Sequence, residues 1–200
     1  MDVEWCAATG RVADDVARAF LAGGARWLQL RAKAIGSGAF LDLASAILQD
    51  TTVAGGTLII NDRADIAALS GAPGLHVGQE DLAPADARTV IGIDRMLGLS
   101  THTQEQWERA VTEPISYLAI GPVFGSGTKD TGYQAIGLDT VRRASEAAAR
   151  HGLPTVAIGG ITLENAASVI EAGAASVAVI GDLLKGDPEA RCRSFVQALS

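Results

Sequence analysis

The sequence predicts an α/β fold, a single compact (β/α)8 barrel of the TIM type spanning residues 1–200. Three observations carry that expectation. Short apolar runs rich in β-branched residues alternate with amphipathic helical stretches at spacings of about 20 to 30 residues, the rhythm of repeated βα units. Almost every run breaks off on its carboxyl side into polar residues or glycine, while the junctions leading into the runs are bland. Successive strands joined by helices are parallel and cross over right-handed, so their polar ends gather at one edge of the sheet. In a barrel those ends converge at one mouth. An open doubly wound sheet is the alternative arrangement.

Taken in order, Val3 to Ala8 reads as a first strand, and Val12, Val16, Ala19 and Phe20 mark one face of a helix that stops at Gly23-Gly24. Trp27 to Leu30 is the second strand, running into Arg31 and Lys33, and Phe40, Leu43, Ala44 and Ile47 give the next helix its apolar face. Leu58-Ile59-Ile60 stops at Asn61-Asp62, a short helix fills Arg63 to Ser70, and Gly74 to Val77 stops at Gly78-Gln79-Glu80-Asp81. A helix over Pro84 to Ile91 leads to a strand at Met96 to Leu99, which ends in Ser100-Thr101-His102. Thr103 to Gln106 has capping-box form ahead of a helix through Trp107 to Val111. Ser116 to Ile120 is the sixth strand and opens into the long polar loop Gly121 to Asp130. Long ordered loops in compact domains are commonly functional. A helix over Leu138 to Arg150 precedes Thr155 to Ile158, which ends at Gly159-Gly160, and Thr162 caps the following helix. Ser176 to Ile180 ends at Gly181, and Asp187-Pro188 starts a last helix. The pattern amounts to eight strands and eight helices.

Composition narrows the function. A net charge of −7 argues against a general nucleic-acid or membrane-surface binder, since both need positive fields. An anionic substrate must therefore be held by local cations. Cys6 and Cys192 lack metal-type spacing and fit reduced thiols. Met1-Asp2-Val3-Glu4 is acidic with no basic-then-apolar leader, and no apolar run reaches the length of a membrane span. These features point to a cytoplasmic enzyme or binding protein.

Three groups of residues fall at the strand ends. Arg31, Lys33 and Lys129 are cations that can meet a polyanion, although each alone is also an ordinary surface charge. Arg31 and Lys33 alternate with apolar neighbours, which puts both on one side of the strand end. Asn61, Asp62 and Asp81 offer hard oxygen ligands. Two like charges about 4 Å apart repel by roughly 4 kcal/mol at an effective dielectric near 20, so their approach calls for a cation, a proton or a buried donor. Mg2+, which takes one or two carboxylates plus substrate oxygens, is the expected cation. A helix cap at Asp62 and a turn at Asp81 are the structural alternatives. Ser126-Gly127-Thr128, Gly159-Gly160 and Ile180-Gly181 are small residues able to present amides and hydroxyls to a phosphate.

The chain resembles the thiamine phosphate synthases from about Gln29 to Gly181. The resemblance rests on Gln29-Leu30-Arg31-Ala32-Lys33, Ile60-Asn61-Asp62, His76 to Asp81, Ser100 to Thr103, Gly121 to Phe124 through Thr128-Lys129, and Ile158 to Thr162. It implies transfer of a hydroxymethylpyrimidine group from its diphosphate to thiazole phosphate, with release of pyrophosphate. By the same resemblance Gln29, Arg31, Lys33, Asn61, Ser100 and Lys129 hold the pyrimidine diphosphate, with Arg31, Lys33, Ser100 and Lys129 the catalytic group. Asp62 and Asp81 match the Mg2+ ligands. Ser126, Gly127, Thr128, Gly160, Ile180 and Gly181 match the thiazole phosphate site.

Departures are Ala32, where relatives carry an acidic residue, Ser126 in place of Thr, and Gly181 in place of Ser, which costs a hydroxyl donor but keeps the amide. His102 matches a catalytic histidine of the related thiazole tautomerases, which makes isomerisation a rival reading. An ordinary hydrogen-bonded histidine is the structural alternative there. A non-catalytic binder of thiamine-type phosphates is the third reading. His76 is expected to be structural and His151 superficial. The partners implied are small-molecule substrates, with a homo-oligomer left open.

Overall fold

The computed structural model describes residues 1–125 and 132–199. Its sheet has seven parallel strands in sequence order, each paired with the next: β1 (Trp27–Leu30), β2 (Thr57–Asn61), β3 (Gly74–Val77), β4 (Met96–Thr101), β5 (Tyr117–Ile120), β6 (Thr155–Ile158) and β7 (Ser176–Ala178). Helices α1 (Val3–Ala8) and α2 (Ala13–Ala22) precede β1. Then α3 (Ser37–Val53), α4 (Ala64–Ser70), α5 (Pro84–Ile91), α6 (Gln104–Ala110), α7 (Gly137–Arg150) and α8 (Ala166–Glu171) follow the first six strands in turn. A 3-10 turn at Asp182–Leu184 leads to α9 (Pro188–Ala198). An uninterrupted order without reversal is barrel-like and rules against the doubly wound alternative, whose strand order turns back on itself.

Alternation along the strands separates two faces. Leu28, Leu30, Leu58, Ile60, Leu75, Val77, Leu97, Leu99, Leu118 and Ile120 pack outward in one buried cluster with Phe40, Ala44, Ile47, Ile66 and Ile91 from the helices. Each such Val, Leu, Ile or Phe side chain stabilises the fold by about 1.5–3 kcal/mol through burial. The opposite face carries a second, smaller cluster of Tyr117, Ala119 and Val156 with Met96 and Ile158. Gly98 lies opposite Tyr117 in the ladder, and a Cβ there would come within 2.0 Å of the phenol ring. Glycine is what lets the ring lie across β4, with the edge of Trp27 at 5.0 Å between centroids.

The predicted closed eight-stranded barrel is met in part. Val3 to Ala8 is a helix and not a strand, because Asp2 caps it by accepting the Trp5 N–H at 2.9 Å and Glu4 in its first turn suits the helix dipole. What stands beside β1 in place of that strand is a single bridge between Asp2 and Arg31. The last strand also pairs only as far as Ala178. Val179 and Ile180 instead line a narrow apolar cavity with Met1, Cys6, Val16 and Phe20. The helix expected from Thr162 starts at Ala166, since Asn165 Oδ1 first takes the Thr162 N–H at 2.8 Å in a turn. No described helix is long and apolar enough to cross a membrane.

Candidate active site

The ends of β1, β2 and β3 bring together Lys33, Asp62 and Asp81 from among the residues the sequence singled out for a diphosphate and a metal. Asp62 follows β2 with a φ of +65°, the one non-glycine residue of positive φ among the described residues. Such a conformation is uncommon outside glycine, although Asp tolerates it better than most. Its N–H donates to the His76 carbonyl at 2.7 Å, which locks the turn onto β3. The helix-cap alternative for Asp62 therefore falls, as α4 is flanked by Arg63 and has no side-chain cap. The turn alternative for Asp81 is observed, with Oδ2 accepting the Gly78 N–H at 2.8 Å. That bond also aims the Asp81 carboxyl back toward β2.

The two carboxyls meet. Burial pushes the Asp62 carboxyl above its ordinary range, the Lys33 ammonium pulls it down, and the hydrogen-bonded Asp81 carboxyl pushes it up again. Lys33 Nζ forms an ion pair with Asp62 Oδ2. Among the described residues no group of three or more His, Cys, Asp or Glu side chains gathers as a metal site. Two carboxylates are nevertheless the number Mg2+ takes when a substrate phosphate completes its shell, so the donor set fits that ion. Asn61, buried at the end of β2, stands beside them.

Arg31 and Lys33 part at the end of β1. The strand stops at Leu30, so the alternation that would place both on one side does not reach Lys33. Lys33 leans to Asp62, whereas Arg31 Nη1 donates to Asp2 Oδ2 at 2.5 Å and lies 3.9 Å from Glu4 Oε2.

Ser100, near the end of β4, is held from both sides. His76 Nε2 lies 2.8 Å from Ser100 Oγ, His76 Nδ1 lies 2.8 Å from the Tyr117 hydroxyl, and Gln79 Nε2 donates to the Ser100 carbonyl at 2.7 Å. Burial pushes the Tyr117 phenol up, with a hydrogen bond to the Gln29 side chain opposing, so the phenol keeps its proton. The two ring nitrogens of His76 bridge the Tyr117 hydroxyl and Ser100 Oγ. The structural role expected of His76 thus has a definite object, the serine hydroxyl. Behind the Gly78–Gln79 turn a cavity of about 170 Å³ is lined by Gln79, Asp81, Gln106, Arg109 and Glu113.

His102 is hydrogen-bonded, as its structural alternative had it. Its Nδ1 donates to the Gly121 carbonyl at 2.6 Å, its N–H donates to Gln106 Oε1 at 2.7 Å, and its ring stacks on Tyr133 at 4.1 Å. His151 flanks the end of α7 in an exposed position.

The residues expected at the thiazole phosphate are less fully placed. Gly159 and Gly160 have φ of +88° and +67°, and a Cβ on Gly160 would sit 2.7 Å from the Gly125 carbonyl oxygen and from Phe124. Close packing against the segment after β5 is therefore one reason for glycine there. Gly181 flanks the 3-10 turn, and Ile180 lines the apolar cavity described above. Ser126, Gly127, Thr128 and Lys129 lie outside the described residues.

Sequence reasoning missed Asp2, Glu4, Gln79 and Tyr117. For Tyr117 a signal existed, since a glycine within a strand marks close approach of a neighbour. For Asp2 and Glu4 the signal was an aspartate cap with an acidic first turn, which the apolar Val3, Trp5 and Cys6 masked.

A family model described as thiamine monophosphate synthase matches residues 5–183. The thiamine-phosphate synthase of Koribacter versatilis is 49% identical over 143 residues, covering 72% of this chain and 66% of that protein. The thiamine-phosphate synthase of Roseiflexus sp. (strain RS-1) is 42% identical over 190 residues, 94% of this chain and 79% of that protein. Among solved structures, the thiamine phosphate pyrophosphorylase from Pyrococcus furiosus superposes with a TM-score of 0.86 at 27% identity, covering 94% of this chain and 89% of that one. The motifs at β1, β2, β3 and β4 and this likeness along the chain agree, and the protein belongs to the thiamine monophosphate synthase family, a family of transferases.

Proposed function

We propose that the protein transfers the 4-amino-2-methyl-5-hydroxymethylpyrimidine group from its diphosphate to thiazole phosphate, giving thiamine phosphate and pyrophosphate with Mg2+ as cofactor. The observation that carries the reading is the meeting of Lys33, Asp62 and Asp81 at adjoining strand ends. Two partly buried carboxyls beside an ammonium at the strand ends make a good diphosphate site. Asp62 and Asp81 would hold the Mg2+, which supplies charge shielding to a diphosphate leaving group.

In the proposed step the bond between the pyrimidine methylene carbon and the diphosphate oxygen breaks, and its electron pair departs with the diphosphate. The thiazole nitrogen lone pair forms the new C–N bond. No protein nucleophile is needed. Arg31 and Lys33, and by the family resemblance Lys129, supply fixed positive charge where negative charge develops, which is usually the largest catalytic contribution. Ser100, oriented by His76, and Gln29 and Asn61 hold the pyrimidine diphosphate. Gly160, Ile180 and Gly181, with Ser126, Gly127 and Thr128 of the β5–α7 connection, hold the thiazole phosphate. Holding the two substrates in line and excluding water protects a cationic methylene from hydrolysis.

The test is a coupling assay with both substrates and Mg2+, each omitted in turn, following pyrophosphate and thiamine phosphate. Equal appearance of both products supports the proposal. Isomerisation of thiazole phosphate without coupling would transfer the protein to the tautomerase reading. Binding of both substrates without turnover would make it a non-catalytic binder.

A further inference from the structure

The cationic end of β1 is gripped by α1, the helix that stands where a strand was expected. Glu4 Oε1 accepts two consecutive main-chain N–H groups, those of Lys33 and Ala34, each at 2.8 Å. One carboxylate oxygen bound to adjacent amides fixes the backbone between them, much as a helix cap fixes a first turn. Next to it, Asp2 takes the Arg31 guanidinium, and Val3 N–H donates to the Arg31 carbonyl at 2.9 Å. Lys33, whose N–H Glu4 holds, sends its ammonium to Asp62 on the other flank. The backbone from which both cations project is therefore set by α1. Glu4 Oε2 and Arg31 Nε are both buried with no hydrogen-bond partner among the described residues. The cluster is shaped around the β1 end without satisfying itself.

We propose that Glu4 is a positioning residue for the diphosphate subsite, acting through the Lys33–Ala34 main chain. The inference rests on the proposed function and adds to it a residue outside every motif of the family resemblance. Its sign is opposite to the simple electrostatic expectation. A carboxylate near Arg31 that only opposed anion binding would, when removed, tighten diphosphate binding; a carboxylate that holds the loop would, when removed, loosen it.

The experiment compares the full chain with Glu4→Ala, Glu4→Gln and Glu4→Asp. Inorganic pyrophosphate with Mg2+ is titrated by calorimetry, and KM and kcat are measured for the pyrimidine diphosphate. Glu4→Ala is expected to weaken pyrophosphate binding and raise KM by about tenfold, with kcat changed much less, because the two main-chain N–H groups lose their shared acceptor. Glu4→Gln keeps a carbonyl acceptor at the same reach and is expected to stay within about threefold of the parent. Glu4→Asp keeps the charge but withdraws the acceptor by one methylene, and is expected to follow Glu4→Ala; it carries the test should Glu4→Ala not fold. Equal or tighter pyrophosphate binding by Glu4→Ala or Glu4→Asp overturns the inference, as does a Glu4→Gln variant as weak as Glu4→Ala. A parent that binds pyrophosphate without coupling the substrates overturns the proposed function alone. A parent that binds no pyrophosphate overturns both.

Discussion

The β1–β3 side of the mouth and the β6–β7 side are built from different materials. On the first, the functional groups are charged side chains, each tied to a neighbour: Lys33 to Asp62, Arg31 to Asp2, Asp81 to the Gly78 amide. On the second, the candidate groups among the described residues are glycines and main-chain amides around Gly159-Gly160 and Gly181, and the charged Asp182 beside Gly181 is turned to Lys185 and Arg191. The difference matches two tasks in the proposed reaction. A departing diphosphate gains charge as the bond breaks, so cations on that side act on the transition state. A phosphate that only anchors the thiazole keeps its charge throughout, and uniform binding of this kind lowers KM without raising kcat.

Substitutions on the two sides should therefore fail differently. The largest effect is expected for Lys33→Ala, which removes a fixed cation from the leaving group and should lower kcat by about 10² to 10³, with no recovery at high thiazole phosphate. Steady-state kinetics with both substrates varied would show it, and a pure KM effect would erase the distinction. Gly160→Ala places a Cβ 2.7 Å from the Gly125 carbonyl and asks alanine to hold a φ of +67°. It should raise KM for thiazole phosphate by about tenfold or more, since αL costs about 1–2 kcal/mol before the clash is counted. Ser100→Ala should cost about tenfold in kcat/KM through one lost hydrogen bond to a charged ligand. His76→Phe should cost less, and the double variant little more than Ser100→Ala, if the imidazole acts through the serine; additive losses would give His76 its own contact.

The smallest effect on activity is expected at Asp182, whose carboxyl is taken up by Leu163, Lys185 and Arg191. Burial alone would push its carboxyl up, but hydrogen bonds from Lys185, the Leu163 N–H and Arg191 outweigh that and hold it below its ordinary value. A depressed folded-state pKa contributes stability above the unfolded value near 4 and loses it as pH falls through the folded one. Asp182→Asn should accordingly lower stability by about 3 kcal/mol at pH 7, and the gap to the parent should shrink below pH 4. Denaturant titration at both pH values checks this.

The sequence showed the strand order and the edge where chemistry gathers because both depend on local signals: apolar runs, and the polar residues that end them. Asp62 and Asp81 were legible as a pair since parallel strands must bring their ends side by side. Neither the hand-over of Lys33 to Asp62 nor the grip of Glu4 on Lys33 and Ala34 could be read, because each joins segments distant in sequence through side chains. The first strand was misread for a physical reason. Val3, Trp5 and Cys6 carry the apolar content of a strand, and the Asp2 cap together with Glu4 in the first turn tips the segment to helix. Tyr117 shows the converse case, in which a glycine at position 98 was a local trace of a long-range contact.

The most direct test of the division between the two sides is a rescue titration. Lys33→Ala and Gly160→Ala would each be assayed for pyrophosphate release at saturating pyrimidine diphosphate and Mg2+ while thiazole phosphate is raised well beyond the parent KM. Gly160→Ala is expected to climb back toward the parent rate and Lys33→Ala to stay low at every concentration. Recovery of Lys33→Ala, or failure of Gly160→Ala to recover while still folded, would contradict that division.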